Sequence, residues 1–367
     1  MSPIEEHRFP CDTCGSDMRF DPGDEQLICD HCGNTDPIDH GPWARQSAIA
    51  EQDFRAAIEA RLPGSDMEET RVTSCPNCGA TFEFDPAIHA AECPFCATPV
   101  VTNTGAHRHI KPKGVLPFVL EERAAHEAMT NWLGGLWFAP NGLQQYARKG
   151  RKMSGIYTPA WTFDADTKSS YDGERGTEYQ ETKTVMRNGK RESVTVTRVS
   201  WRRVSGRVAR FFDDVLVIAS SALPERFRQD TGHWDLSALE PYQPTYLAGF
   251  QAEAYTIEIE GAFTIARQIM DRQIQRDVKF DIGGDRQRIR SIDTQISDVT
   301  FKHILLPLWL AAYKYRGKSY RFVVNGQTGE VKGERPWSVW KILFAALAVA
   351  IVAGTVGYFY ALNEGGF

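Results

Sequence analysis

Eight cysteines carry the clearest chemistry in this chain of 367 residues, and all of them lie between Cys11 and Cys96. They fall as two copies of one pattern: Cys11, Cys14, Cys29 and Cys32, then Cys75, Cys78, Cys93 and Cys96, each spaced C-x2-C, x14, C-x2-C. The copies share Phe20-Asp21-Pro22 and Phe84-Asp85-Pro86, so the stretch is an internal repeat. A C-x2-C pair on a tight turn brings two sulfurs onto one ion. Gly15, Gly33 and Gly79 stand just after such pairs, where the turn needs a positive φ. Two turns complete a tetrahedral four-thiolate set, the ligand choice of a structural zinc site. The pattern therefore predicts two Zn2+ sites, though an all-thiolate tetrahedron also accepts iron. Every coordination position is filled by protein, which leaves none for a substrate or an activated water. Disulfides explain the cysteines less well, because nothing else marks a secreted chain. A redox dithiol needs one C-x2-C and not four. His31, inside one turn, reads as a solvated residue beside a complete thiolate set.

A ribbon of about 25 residues has almost no core of its own and depends on its metal to fold. The rest of the chain must hold two such ribbons. The sequence divides into zinc ribbon 1 (1–40), a helical spacer (41–70), zinc ribbon 2 (71–104), an α+β domain rich in antiparallel strands (105–336), and a transmembrane anchor with a short tail (337–367). In the spacer, Ile49, Phe54, Ile58 and Leu62 approximate one face of a helix over Ala44–Leu62, which Pro63-Gly64 ends. Lys111–Phe118 reads as extended. Glu121–Trp137 reads as a helix with Ala125, Met129, Trp132, Leu133 and Leu136 apolar, and Ala262–Arg276 as another. Tyr157, Trp161 and Phe163 open a β region that runs to Ser220, and strands return from Gln287. Within it, Lys183–Arg187 and Ser193–Thr197 flank Asn188-Gly189, a strong hairpin turn. Asn325–Gly329 closes a last hairpin. Pro159-Ala160-Trp161 and Pro307-Leu308-Trp309 hint at two related halves, each a strand leading into a hairpin.

From Ile342 to Leu362 the chain holds no charged residue. Those 21 residues span about 31 Å as a helix, close to the hydrocarbon thickness of a bilayer. Trp337 and Trp340 before the run, and Tyr358 and Tyr360 at its far end, suit interfacial anchors. Lys332, Arg335 and Lys341 precede it and only Glu364 follows, so the positive-inside bias keeps the large N-terminal part in the cytoplasm. Met1–Glu6 lacks the parts of a signal peptide, so none is expected. The topology is single-pass at the inner membrane, in agreement with reduced, metal-bound cysteines. Ala346, Ala350 and Gly354 give a small-x3-small face that permits self-association.

Other candidate sites carry less. Net charge is −5, which argues against a protein that coats nucleic acid. Arg198, Arg202, Arg203, Arg207 and Arg210, with Trp201, Phe211 and Phe212, form the one basic-aromatic cluster. It reads as a solvated strand face balanced by Asp213 and Asp214, with anionic lipid or single-stranded nucleic acid as the other readings. Ala312–Ser319 approaches a phosphate-binding loop but lacks its first glycine, and a strand follows where a helix is needed. His107 and His109 read as surface residues. His126, His233 and His303 match no catalytic dyad, and Asp281–Asp285 reads as an acidic turn. No catalytic or cofactor-binding residue is assigned, and no enzyme is expected.

The paired ribbons, Leu116-Pro117-Phe118, Gly155–Trp161 and the segment Leu305–Pro336 before one apolar helix resemble a bacterial family of TFIIB-type zinc-ribbon membrane proteins. Members are often called primosomal protein N-prime (replication factor Y), a superfamily II helicase. The cysteine turns account for that name, while the helicase boxes that would support it are missing from this sequence. Ala97 stands where the turn glycine is usual and leaves the cysteines intact. The resemblance implies a membrane adaptor, with stomatin/prohibitin-type or phage-shock envelope-stress proteins as companions. The expected function is a tail-anchored cytoplasmic adaptor that binds a protein partner. The alternative is a membrane-tethered nucleic-acid binder.

Overall fold

The structure is a computed structural model. It describes residues 9–38, 49–83, 90–96, 98–101, 105–135, 137–138, 153–187, 190–223, 227–228, 233–315, 318–334 and 338–364. Strands β1 (Arg19–Asp21), β2 (Gln26–Ile28) and β3 (Thr35–Pro37) form the antiparallel sheet of the first ribbon. After β4 (Gln52–Asp53) comes the second ribbon, where β5 (Met67–Ser74) pairs with both β6 (Thr81–Glu83) and β9 (Gly105–Ile110). Strands β7 (Ala90–Glu92) and β8 (Pro99–Val101) make its second hairpin. This ribbon therefore runs from Met67 to Ile110, past the limits at 71 and 104 that the cysteines alone suggest.

The body is a sheet of nine strands. Around β10 (Gly114–Val115), β13 (Glu240–Pro241) and β14 (Gln251–Ala252) are arranged β11 (Ser154–Arg187), β12 (Lys190–Ile218), β15 (Arg286–Tyr315), β16 (Lys318–Asn325) and β17 (Val331–Gly333), with β4 paired to β15 as the ninth. Three of these are far longer than ordinary strands: β11 has 34 residues, β12 has 29 and β15 has 30. They lie side by side and antiparallel, with β11 in the middle. At ~3.3 Å per residue the contour of β11 is on the order of 100 Å. The registers Arg187↔Lys190 and Tyr157↔Pro307 bear out a two-residue hairpin connection and set the two Pro-x-Trp segments on adjacent strands. Asn188-Gly189 itself lies outside the described residues. Ala312–Tyr315 end β15 and Lys318-Ser319 begin β16, its antiparallel partner, so a strand stands where a phosphate loop requires a helix; residues 316–317 lie outside the described residues.

At the Ser154 end the sheet is buried on both faces. Ile304, Leu306, Leu308 and Leu310 join the core of the second ribbon, with Cys75, Phe82, Cys93 and Phe95. Leu305 and Trp309 join that of the first, with Cys11, Phe20 and Cys29. Ile156 and Tyr157 divide the same way. Successive residues of a strand point to opposite faces, so the two ribbons cover opposite sides of one sheet. A strand buried on both faces reads as a continuous apolar run, which is why Ile304–Leu310 shows no alternation.

Further along, only one face is covered. The helix Ile259–Ile282 lies on it and buries Ile259, Ala262, Ala266, Met270, Ile274, Val278 and Ile282 against Trp161, Phe163, Phe212 and Phe301. The spacing is nearly every fourth residue, one stripe of a helix. Tyr171 donates to Asp281 at 2.5 Å and Arg210 forks onto Asp277 at 2.6 and 2.8 Å, fixing the last turns. A Cβ at Gly206 would come 2.6 Å from the Tyr171 hydroxyl and 2.8 Å from Asp281, so only glycine permits this approach.

Two helices differ from the sequence reading. Among the described residues of the spacer the α-helix has five residues, Phe54–Ile58, capped by Asp53, whose carboxylate accepts from the Ala56 N–H. Residues 39–48 lie outside the described set, and Gln52 is drawn into the ladder opposite Phe301. The helix predicted over Ala262–Arg276 extends at both ends, to Ile259 and Ile282. Glu122–Gly134 is helical as expected, burying Ala125, Met129 and Leu133. Ala266→Leu would force bulk into a fully buried position of the long helix and is expected to cost about 1–3 kcal/mol. Thermal unfolding of the purified chain should show this as a lower midpoint; an unchanged midpoint would contradict the packing.

Candidate metal centres

Each cysteine repeat folds into one cluster: Cys11, Cys14, Cys29 and Cys32 in the first, Cys75, Cys78, Cys93 and Cys96 in the second, with all sulfurs of a cluster within 4.8 Å. The turns assemble by the same bonds each time. The N–H of Cys11 donates to Ser16 O, Cys29 to Asn34 O, Cys75 to Ala80 O and Cys93 to Thr98 O, each at 2.8 Å. The N–H groups of Gly15, Gly33 and Gly79 close back on Cys11, Cys29 and Cys75, with φ of 75°, 75° and 74°. A Cβ at these glycines would meet nothing within 4 Å, so the backbone angle and not space selects them.

Cross-cluster sulfur pairs stand 3.5 Å apart in the first centre and 3.6 Å in the second. Sulfurs about 2.3 Å from an ion at the centre of a tetrahedron lie about 3.8 Å from one another, so the donor set fits a four-thiolate metal. Hydrogen bonds from the Ser16 backbone and hydroxyl hold the Cys14 thiol down at about 6, and Cys78 is lowered to about 5, first by its hydrogen bond with Cys93. Both favour thiolate, the form that binds metal, while desolvation raises Cys32 and the bond with Cys78 raises Cys93. His31 is exposed and outside the cluster, as expected.

The centres differ in depth. Cys11 and Cys29 are buried while Cys14 and Cys32 are exposed; in the second centre Cys75, Cys93 and Cys96 are buried and Cys78 is half-buried. The first ribbon is seated on the body by the Phe20 N–H, which donates to Ala248 O at 2.9 Å, and by the Phe20 ring, edge-on to Tyr246 at 5.4 Å. The second is seated by the Ala254 N–H on Thr81 O at 2.9 Å, beside the bridge Phe82↔Glu253. Beneath it Glu253 is buried and accepts from the Ser220 hydroxyl at 2.5 Å. Burial pushes its carboxyl up to about 8. Among Gln251, Ala252 and Ala254, a lone glutamate gives no sequence sign of such a role.

A second polar cluster also escaped the sequence. Buried Lys302 forms an ion pair with Asp214 at 2.7 Å and donates to Glu51 at 3.4 Å, while Thr300 donates to Glu51 at 2.6 Å. The Asp214 N–H donates to Asp164 at 2.7 Å. Burial first, and then a hydrogen bond shared with Glu51, raise Asp164 to about 7. These groups fasten β4 to β11, β12 and β15.

The histidines and arginines settle elsewhere. His109 is buried and meets Tyr255 edge-on at 6.0 Å, which corrects its reading as a surface residue; it lies where β9 passes under the body. His303 is buried, tilted against Trp161 and bonded through Nδ1 to Ile110 O at 2.7 Å, and burial lowers it to about 3. The arginine cluster is not one patch, because alternation along β12 splits it. Arg210 turns to the long helix, Arg198 pairs with Glu181, and Arg203 opposite Glu174 faces the other side. Trp201 is covered by the Arg288 guanidinium at 3.9 Å.

At the carboxyl end the helix Val339–Glu364 includes one candidate span, Val339–Tyr360, with mean hydropathy 2.3. Among the described residues the molecule thus joins two four-cysteine clusters, a strand-rich body and one helix long and apolar enough to cross a membrane. No family model matches the chain, and no solved structure matches it. It is similar to the uncharacterized protein YdjG of Bacillus subtilis (strain 168), 26% identical over 351 residues that cover 95% of this chain and 94% of that protein.

The depth difference predicts two-step metal release. A chelator should draw one ion quickly from the first centre and the other slowly, and Cys11→Ser should abolish the fast phase alone. A single phase that this substitution leaves unaltered would contradict it. Asp164 binds its proton more tightly folded than unfolded, so its share of stability is present at low pH and lost as pH rises through about 7. Asp164→Asn keeps the acceptor for Asp214 but cannot ionise. Its unfolding midpoint should fall less than the parent's between about pH 5 and about pH 8.

Proposed function

We propose that this protein is a tail-anchored adaptor whose two clusters hold Zn2+ as structural ions, and whose sheet carries a protein-binding arm. A closed four-thiolate tetrahedron has no free position for chemistry, so the ions brace the fold and the sheet does the binding. The resemblance to TFIIB-type zinc-ribbon membrane proteins supports an inner-membrane location with the N-terminal part in the cytoplasm. It also favours a stomatin/prohibitin-type or phage-shock-type partner.

The observation that carries the proposal is the far end of the β11–β12 hairpin. The pairing of β15 with β11 stops at Gly176↔Arg286, and the long helix has ended at Ile282. From Thr177 to Ser200 the two strands are paired only with each other, Glu178 alone reaching back to Asp285 and Arg286, and no described residue there is buried. Tyr179, Val185, Val194 and Val196 lie on the face that the helix covers further back, and Met186, 68% exposed, lies on the other. A two-stranded ribbon is marginal alone in water, so an apolar stripe on one is suited to being covered by another protein. The arm lies at the end of β11 remote from Ser154, while the chain enters the tail helix from β17, beside the Ser154 end. A partner held on the arm would thus be reached at a distance from the bilayer.

The nucleic-acid alternative draws less support, because the arginines divide between two faces and two of them, Arg198 and Arg210, are paired with carboxylates. Replacing residues 177–200 by an Asn-Gly turn between Gly176 and Trp201 tests the proposal. Metal content and membrane association should persist, while crosslinked protein partners should be lost from membranes. Retention of the same partners would refute the role of the arm.

A further inference from the structure

The tail helix is not the only apolar feature at its own entrance. Trp137 and Phe138, just beyond the helix Glu122–Gly134, are both exposed, Trp137 at 83%. They are fixed against the start of the tail helix by two bonds. The Ser338 N–H donates to Phe138 O at 2.8 Å, and the Lys341 ammonium donates to Trp137 O at 3.0 Å. Beside them Val339 and Trp340 are also open to solvent, Trp340 at 72%. Two large aromatic side chains in adjacent positions are a poor surface for water. They are well placed at the boundary between headgroups and hydrocarbon, where tryptophan is enriched.

We infer that Trp137 and Phe138 enter the interfacial layer of the bilayer that the tail helix crosses, giving the body a second attachment to lipid. The inference rests on the proposed membrane span. If the apolar run from Ile342 is in hydrocarbon, residues bonded to Ser338 and Lys341 stand at its boundary whatever the tilt of the helix. Lys341 then keeps its charge at the headgroup level, as long basic side chains at helix ends do. With two points of contact the body cannot pivot freely about its anchor, so the direction in which β11 projects is set relative to the bilayer.

The test uses the full chain in vesicles of phosphatidylcholine and phosphatidylglycerol. A photoreactive benzophenone amino acid is placed at position 137, at 347 within the span, or at 280 on the outer side of the long helix, where Phe280 is exposed. Illumination should join phospholipid to the chain from 137 and 347, with loss of the adduct at 280. Lipid adducts from 347 but none from 137 would overturn the second attachment while leaving the span intact. No adduct from either position would remove the span itself, and this inference with it.

Discussion

Four sulfurs drawn to one point, twice, are the constraint on which the remaining structure rests. Neither ribbon has a core large enough to stand alone, and each closes over a face of the same sheet. Phe20 and Phe82, both fully buried, are the wedges by which they do so. Each such side chain contributes on the order of 2–3 kcal/mol when taken out of water. The cysteine turns decide whether those wedges are presented at all. A metal held in these clusters would thus act at a distance: it would shape the covers, and the covers bury the strands from both sides.

This arrangement explains an oddity of the body. Near Ser154 the strands are apolar on both faces, while further out they become polar on one face, and beyond Gly176 the remaining apolar positions lie uncovered. The sheet passes through three environments along one set of strands: between two ribbons, under one helix, and alone. Charged pairs take over where burial ends. Glu174 holds Arg290 at 2.5 Å and Arg286 meets Glu178 at 2.6 Å, around the point where β15 leaves the ladder. Such exposed pairs add little stability, but they dress an edge that would otherwise invite pairing with other strands.

The cysteine clusters were legible because metal ligation imposes spacing directly on the sequence. The tail helix was legible because an unbroken apolar run of that length has few other uses. The reach of β11 was not. Between Asp164 and Thr182 the strand is rich in polar residues and has no alternation to announce it. One of its two long partners, β15, lies more than a hundred positions away, as in Ser169↔Thr294. The short spacer helix failed for a related reason: its apolar spacing suggested a long helix, yet pairing of Gln52 and the bonds of Glu51 draw the preceding residues into the sheet. His109 looked like a surface residue because nothing near it in sequence shows that β9 runs beneath Tyr255. In each case the deciding contact is with a distant segment, which local pattern cannot reveal.

The account is tested most directly by measuring bound metal in the purified chain and then following amide hydrogen exchange of residues 304–310 before and after chelation. It predicts two ions per chain, and protection of that strand that is lost when the ions are removed, because both covers then come away. A chain that holds no metal, or a strand equally protected after chelation, would contradict it.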